Sequence, residues 1–177
     1  MSGLGAKGLR GLGVRVLKEA RHRLKVKGLG LSCKKQLATL SLIFSLKRVK
    51  GASKYLKAFA DFKEAPQPGS SGTHKDICKG LRTLGFEFEE ESPQAHGIYS
   101  VDVVIRHQGE TIALEVDGPS HFRRSGVPDP HTLLKRELLG SLGLKVLSIE
   151  ATTWDSLSAP QRLRHLKEKI DSTAHGV

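Results

Sequence analysis

Hydrophobic positions recur at two spacings along this chain, and the change of spacing separates predicted helices from predicted strands. Two runs rich in β-branched residues, within IYSVDVVIRHQGETIALEVDG at 98–118, flank HQGE, which is typical of a hairpin turn. The second run shows little alternation, as expected for a strand that is covered on both faces. A third strand is predicted for LKVLSI at 144–149.

The segment before these strands is predicted to be a helix. Thr73 can cap it, with Asp76 three residues on in a capping-box arrangement. Gly85 is placed to end it in a left-handed turn. Its inward face would consist of Ile77, Leu81 and Leu84.

Two more helices are predicted after the hairpin. Asp129 can cap the first, with Pro130 at the first helical position, and its buried stripe would be Leu134, Leu138 and Leu142, with Gly143 as its stop. The second begins near Ser158 and Pro160, and its inward residues would be Leu163, Leu166 and Ile170. The order α-β-β-α-β-α predicts an α/β fold in which helices flank a small mixed sheet.

The N-terminal third follows a different pattern. Glycine recurs at every second or third place in residues 1–13, and residues 14–27 could be helical. A helix from Ser32 would carry an apolar face of Leu37, Leu40, Ile43 and Phe44. A further helix would bury Tyr55, Leu56, Phe59 and Phe62. We therefore predict a basic flexible arm at 1–31, a helical hairpin at 32–63, a linker at 64–72 and an α/β domain at 73–171.

Charge is distributed very unevenly between these segments. Residues 1–65 hold sixteen Lys and Arg against three acids, and residues 66–177 hold thirteen against fifteen, so the first part carries +13 and the rest −2. Such asymmetry predicts a polyanionic partner, RNA or DNA, although a solubilising or targeting segment would also account for it. The candidate nucleic-acid-binding residues are Lys7, Arg10, Arg15, Lys18, Arg21, Arg23, Lys25, Lys27, Lys34, Lys35, Lys47, Arg48, Lys50, Arg123 and Arg124.

Other features of the sequence bear on the cellular compartment of the protein. Residues 1–18 contain no acid, as in a mitochondrial transit peptide, which fits either an uncleaved import signal or a basic arm held by a partner. No apolar run is long enough for a membrane span. Cys33 and Cys78 show no metal-ligand spacing, and a reducing compartment fits them.

Three carboxylates form the candidate chemical site. Glu115 and Asp117 lie two apart on a strand and face the same side, and the hairpin could bring Asp102 alongside. Such a set could hold Mg²⁺, with His121 as a general acid or base. The alternative is structural: Asp117 caps a turn, Asp102 and Glu115 meet backbone groups or nearby cations, and His121 fixes the loop. Arg123 and Arg124 could grip a phosphate or pair with Glu115 and Asp117, and Lys135 and Arg136 could extend that basic patch.

LRTLGF, YSVDVVI, ETIALEVDGPSHF and HTLLKRELLGSLGLKVLSIEATTW together resemble the RAP domain, an RNA-binding domain abundant in apicomplexans. The resemblance covers about residues 73–170. It implies an organellar RNA regulator with a restriction-endonuclease-like fold, similar to the very-short-patch-repair branch, in which Asp102, Glu115 and Asp117 occupy the metal-site positions. Glu115-Val116-Asp117 departs from that fold's usual Glu-x-Lys, although His121 could stand in for the missing cation.

These observations predict a non-catalytic mitochondrial RNA-binding protein bound to ribosomal RNA among ribonucleoprotein subunits, with no cofactor; the plastid is the alternative compartment. A Mg²⁺-dependent RNA endonuclease at Asp102, Glu115 and Asp117 is the second hypothesis. A protein–protein adaptor that docks through residues 37–62 is the third.

Overall fold

The structure is a computed structural model that describes residues 15, 17–19, 22, 30–49, 52–55, 71–123 and 126–176. The chain divides into two compact units. One comprises Met1–Ala65 and Ala95–Ile98, and the other comprises Pro66–Gln94 and Tyr99–Val177.

The first unit contains helix α1, Leu31–Leu46, and the described residues within 14–27 are also helical. The predicted apolar face of α1 is wrong, because its most buried residues are Ala38, Ser41 and Leu42. The run from Leu37 to Leu46 is apolar on nearly every side, so spacing alone could not select the face. The Ser41 hydroxyl tolerates burial because it donates to the Leu37 carbonyl at 2.8 Å. Residues 53–55 of the further helix predicted around Tyr55 are helical, and of its four predicted apolar residues only Tyr55 is described; it is buried.

The second unit is built on a four-stranded sheet in the order β1-β2-β3-β4. The strands are β1 Glu87–Gln94, β2 Tyr99–His107, β3 Glu110–Asp117 and β4 Lys145–Glu150. The first three pair antiparallel, whereas β3 and β4 are parallel. The predicted mixed sheet flanked by helices is therefore confirmed.

The predicted hairpin joins β2 to β3. Gln108 and Gly109 form its turn, with φ of 52° and 79°. Two successive positive φ values match the right-handed twist of the strands they connect.

Strand β1 was not predicted from the sequence. It is an edge strand whose sequence EFEEESPQ is mostly exposed, so it lacks the apolar alternation that signals a strand. Acidic side chains along a free edge oppose pairing with another sheet. The short helix α4, Ala151–Ser156, which begins directly after β4, was also missed.

Helices cover both faces of the sheet. Helix α2, Gly72–Thr83, helix α4 and helix α5, Ala159–His175, pack on one face, where Ile77, Leu114, Trp154 and Leu166 belong to one buried cluster. On the other face, Leu139 of helix α3, Pro130–Ser141, packs with Val101, Val104 and Ala113. The two faces of β3 are therefore both covered, as predicted.

The helix ends follow local chemistry, with two corrections. Asp129 caps α3 by accepting from His131 N and Thr132 N, as predicted. The predicted Thr73 cap is wrong, because Ser71 caps α2 by accepting the His74 N–H at 3.1 Å. Leu142 was predicted to be buried, but it lies beyond the end of α3 and is exposed.

None of the helices in the described part of the chain is long and apolar enough to cross a membrane.

Candidate functional site

The three predicted carboxylates converge on the sheet face that α3 covers. Glu115 and Asp117 project from the end of β3 on the same side as Ala113. Asp102 lies just beyond the last paired residues of β2 and β3, Val103 and Leu114. Its Oδ2 accepts the backbone N–H of Val116 at 2.7 Å, so this carboxylate is satisfied by the backbone.

Glu115 is nearly buried and is paired with a cation from α3. Lys135 Nζ lies 2.6 Å from Glu115 Oε2, while Oε1 is buried and has no hydrogen-bond partner among the described residues. Burial raises the pKa of Glu115 to about 7, against the lowering effect of Lys135, and the charges of Asp102 and Asp117 add to the rise.

Asp117 is paired with Arg136, the residue that follows Lys135 on α3. Its side chain is 2% exposed, and its Oδ2 accepts from Arg136 and from the Ser148 hydroxyl of β4. Arg136 also donates to Ser148 Oγ at 2.9 Å. Consecutive residues of α3 thus neutralise alternate residues of β3.

His121 lies at the edge of this cluster. Its Nδ1 is 3.6 Å from Asp117 Oδ1 and 3.4 Å from the Thr132 hydroxyl. The first distance is too long for a hydrogen bond, so the contact with Asp117 is electrostatic at most.

The basic patch predicted at Arg123 and Arg124 is not extended by α3. Lys135 and Arg136 do not extend it, because they point at the acids. Arg123 is exposed, pairs with neither Glu115 nor Asp117, and its backbone N–H donates to the Val127 carbonyl in a turn. Arg124 lies outside the described residues.

The other candidate nucleic-acid-binding residues include some that lie outside the described residues and some that lie within them. Those outside the described residues are Lys7, Arg10, Arg21, Arg23, Lys25, Lys27 and Lys50. Among those described, Arg15, Lys18, Lys47 and Arg48 are exposed, and Lys34 and Lys35 are half-buried.

The carboxylates do not fit a Mg²⁺ ion as they stand. Asp102, Glu115, Asp117 and His121 do not bring three ligand atoms within 4.8 Å of one another, although all four belong to the described part of the chain. Their oxygens are directed instead at Lys135, Arg136, Ser148 and the Val116 amide. The geometry is that of a charge-matched network.

An open cleft of about 380 Å³ lies beside this network. Ser148, Ile149 and Glu150 line it at the carboxyl end of β4, the edge at which open α/β sheets commonly bind ligands. Its basic lining residues are Arg136, His165 and Lys169, and Thr153 adds a hydroxyl that donates to the one acid in the lining, Glu150. Sequence reasoning missed this cleft, although His165 and Lys169 share one face of a helix at spacing four.

The cations of the cleft retain donors. The Arg136 Nε is buried and has no hydrogen-bond partner among the described residues. Lys169 has no ion-pair partner in the described part of the chain, whereas Lys167 on the same helix pairs with Asp171 at 2.6 Å. The cleft can therefore offer hydrogen bonds and positive charge to an anionic group.

Residues 114–169 match the family model described as the RAP domain. This part of the chain is similar to RAP domains. The match covers most of the network and the cleft, from Leu114 on β3 to Lys169 on α5, which confirms the family resemblance that the sequence motifs indicated.

A search of curated proteins gives a consistent result. A protein from Oryza sativa subsp. japonica named RAP domain-containing protein, chloroplastic, is 32% identical over 103 residues, which are 57% of this chain. Those residues are only 16% of the rice protein's length. The similarity thus concerns one domain of a much longer protein.

Proposed function

We propose that this chain is an organellar RNA-binding protein that holds RNA without cleaving it. The observation that carries the proposal is the RAP domain match at 114–169, because this domain suggests RNA binding. The cleft beside β4 is the proposed binding place, since Lys169 in its lining has no ion-pair partner among the described residues and suits a phosphate group.

The charge balance of the network favours binding over cleavage. Glu115 and Asp117 each have a cation from α3, so they do not present a bare acidic site to RNA. The basic residues of 1–65 would add sequence-independent contacts to the phosphate backbone. The affinity of the whole chain should then fall steeply with rising salt.

We propose further that the RNA is ribosomal and that the chain works among ribonucleoprotein subunits. A compact domain with a strongly basic extension suits one fixed RNA site more than a scan of many. The named compartment of the rice relative is the chloroplast, which supports an organelle. We favour the mitochondrion, because the acid-free residues 1–18 have the charge of an import signal. Imaging of the tagged full chain in cells distinguishes the mitochondrion from the plastid and from the cytosol, and a cytosolic result contradicts the proposal.

RNA endonuclease activity is the competing function, and one observation favours it. The Lys135 ammonium lies beside Glu115 and could supply the cation that the sequence Glu115-Val116-Asp117 lacks. Incubation of the full chain with labelled RNA and Mg²⁺, against a Glu115→Gln, Asp117→Asn double variant of unchanged circular dichroism, decides between the two. We expect bound, intact RNA in both samples. Cleavage by the natural chain that the double variant loses would overturn the binding-only proposal.

A further inference from the structure

A second cluster of titratable side chains lies on the opposite side of the sheet from the carboxylate network. His74 and Cys78 are four residues apart on α2, so they share one face of the helix. Glu90 of β1 meets them there. Each of the three offers one ligand atom, and these atoms all lie within 4.8 Å of one another.

One ring nitrogen of the histidine in this cluster is buried without a hydrogen-bond partner among the described residues. His74 is 6% exposed, and its Nε2 is buried without a hydrogen-bond partner among the described residues. A buried ring nitrogen without a partner costs free energy unless another group satisfies it. The cluster therefore contains a buried nitrogen that is available as a ligand atom.

Cys78 is similarly buried, at 1% exposure, and its side chain interacts with Glu90. Burial, followed by the charge and the hydrogen bond of Glu90, raises the pKa of the Cys78 thiol to about 12. This cysteine is not a reactive thiolate in the metal-free protein. A metal ion would take the place of its proton, which would pass to solvent.

Glu90 can complete the set without losing its present partner. Arg82 donates to Glu90 Oε1 at 2.5 Å, which leaves Oε2 as a possible ligand. That ion pair is exposed, with side-chain exposures of 61% and 40%, so it contributes little and can adjust.

From this geometry we infer that His74, Cys78 and Glu90 form a binding site for Zn²⁺. One nitrogen, one sulfur and one oxygen form a donor set that Zn²⁺ accepts and Mg²⁺ does not. Three atoms that are at most 4.8 Å apart lie within about 2.8 Å of their common centre, so shifts of at most about 0.8 Å reach the usual zinc distances. Water would fill the fourth position. The ion would join α2 to the edge strand β1 and stabilise the second unit.

Absorption spectroscopy with Co²⁺ tests this site directly, because a thiolate bound to Co²⁺ gives a sulfur-to-metal charge-transfer band. The full chain, stripped with chelator, should bind one Co²⁺ with this band, and Zn²⁺ should displace it. Cys78→Ser should abolish the band, and the matched variant Cys33→Ser should retain it, because Cys33 is an exposed free cysteine on another helix. A folded natural chain without the band, or a band that Cys78→Ser retains, overturns the inference.

Two variants on strand β1 test the site even if Cys78→Ser does not fold. Glu90→Gln and Glu89→Gln change neighbouring residues of β1, and only the first is in the cluster. Glu90→Gln should weaken Co²⁺ binding at least roughly tenfold, since even outer-shell partners have effects of that size. Glu89→Gln should leave the affinity unchanged. Equal affinities for the two variants contradict the site.

Discussion

Lys135 Nζ lies 2.6 Å from Glu115 Oε2, and this contact joins α3 to the end of β3. The lysine is 21% exposed and the glutamate 7%, so the pair sits at the boundary between the protein interior and solvent. Burial of Glu115, opposed by the charge of Lys135, determines how this carboxyl responds to pH.

The first prediction concerns pH. The pKa of Glu115 is raised to about 7 in the folded protein, above its ordinary value of 4.5, so the folded state binds more protons than the unfolded state between these values. Its contribution to stability is therefore present below pH 4.5 and is lost as the pH rises toward 7. Across that window Glu115 should lower the free energy of unfolding of the natural chain by about 1–3 kcal/mol as the pH rises. Glu115→Gln should not show this fall.

Urea denaturation at a series of pH values measures this difference. The control is Glu89→Gln, because Glu89 is about half-exposed and its ion pair with Arg106 lies at the surface. A pH dependence that Glu115→Gln leaves unaltered would contradict the assignment.

The second prediction concerns the buried ion pair of Asp117. Arg136→Ala should destabilise the protein by about 3–5 kcal/mol, because it leaves a buried carboxylate without its cation. Arg106→Ala breaks the exposed pair with Glu89 and should cost at most about 1 kcal/mol. Chemical denaturation of the two variants gives the comparison, and similar losses would show that the Asp117 network does not support the fold.

The third prediction concerns the tryptophan. Trp154 Nε1 donates to Asp76 Oδ2 at 3.0 Å, and Arg162 donates to the same oxygen at 2.8 Å. Asp76→Ala leaves both donors unpaired and should cost roughly 1–3 kcal/mol. Trp154 is the single tryptophan of the sequence, so tryptophan fluorescence reports on the surroundings of this one residue.

Asp155→Ala is its matched control, since among the described residues the Asp155 side chain accepts only from the exposed Thr73. It should change stability by less than about 0.5 kcal/mol and leave the fluorescence unaltered. Unchanged fluorescence of Asp76→Ala would be evidence against the Trp154–Asp76 hydrogen bond.

The sequence predicts those parts of the fold that depend on neighbouring residues. The Gln108–Gly109 turn, the Asp129 cap and the left-handed Gly85 at the end of α2 each follow from a few adjacent side chains. The mixed sheet follows from the order of its elements. Strand β1 escapes this logic, because an edge strand rich in Glu buries too little to show a period.

The chemistry of the site is harder to predict, because it depends on contacts between distant residues. Spacing indicates that Glu115 and Asp117 face the same way, but not that Lys135 and Arg136 turn toward them. Asp76 resembles part of a capping box in the sequence, yet it bonds Trp154 and Arg162, which are 78 and 86 residues away. Packing of the whole domain determines such pairs.

The most direct test of RNA binding at the cleft compares two lysines of α5. Lys169 lines the cleft, whereas Lys167, two residues earlier, pairs with Asp171. The measurement is the affinity of the full chain for labelled RNA at increasing salt, for the natural sequence, Lys169→Ala and Lys167→Ala. We predict that Lys169→Ala weakens binding roughly threefold or more and reduces the salt slope by about one charge, and that Lys167→Ala changes neither. Equal affinities and equal salt slopes for the two variants would contradict the account.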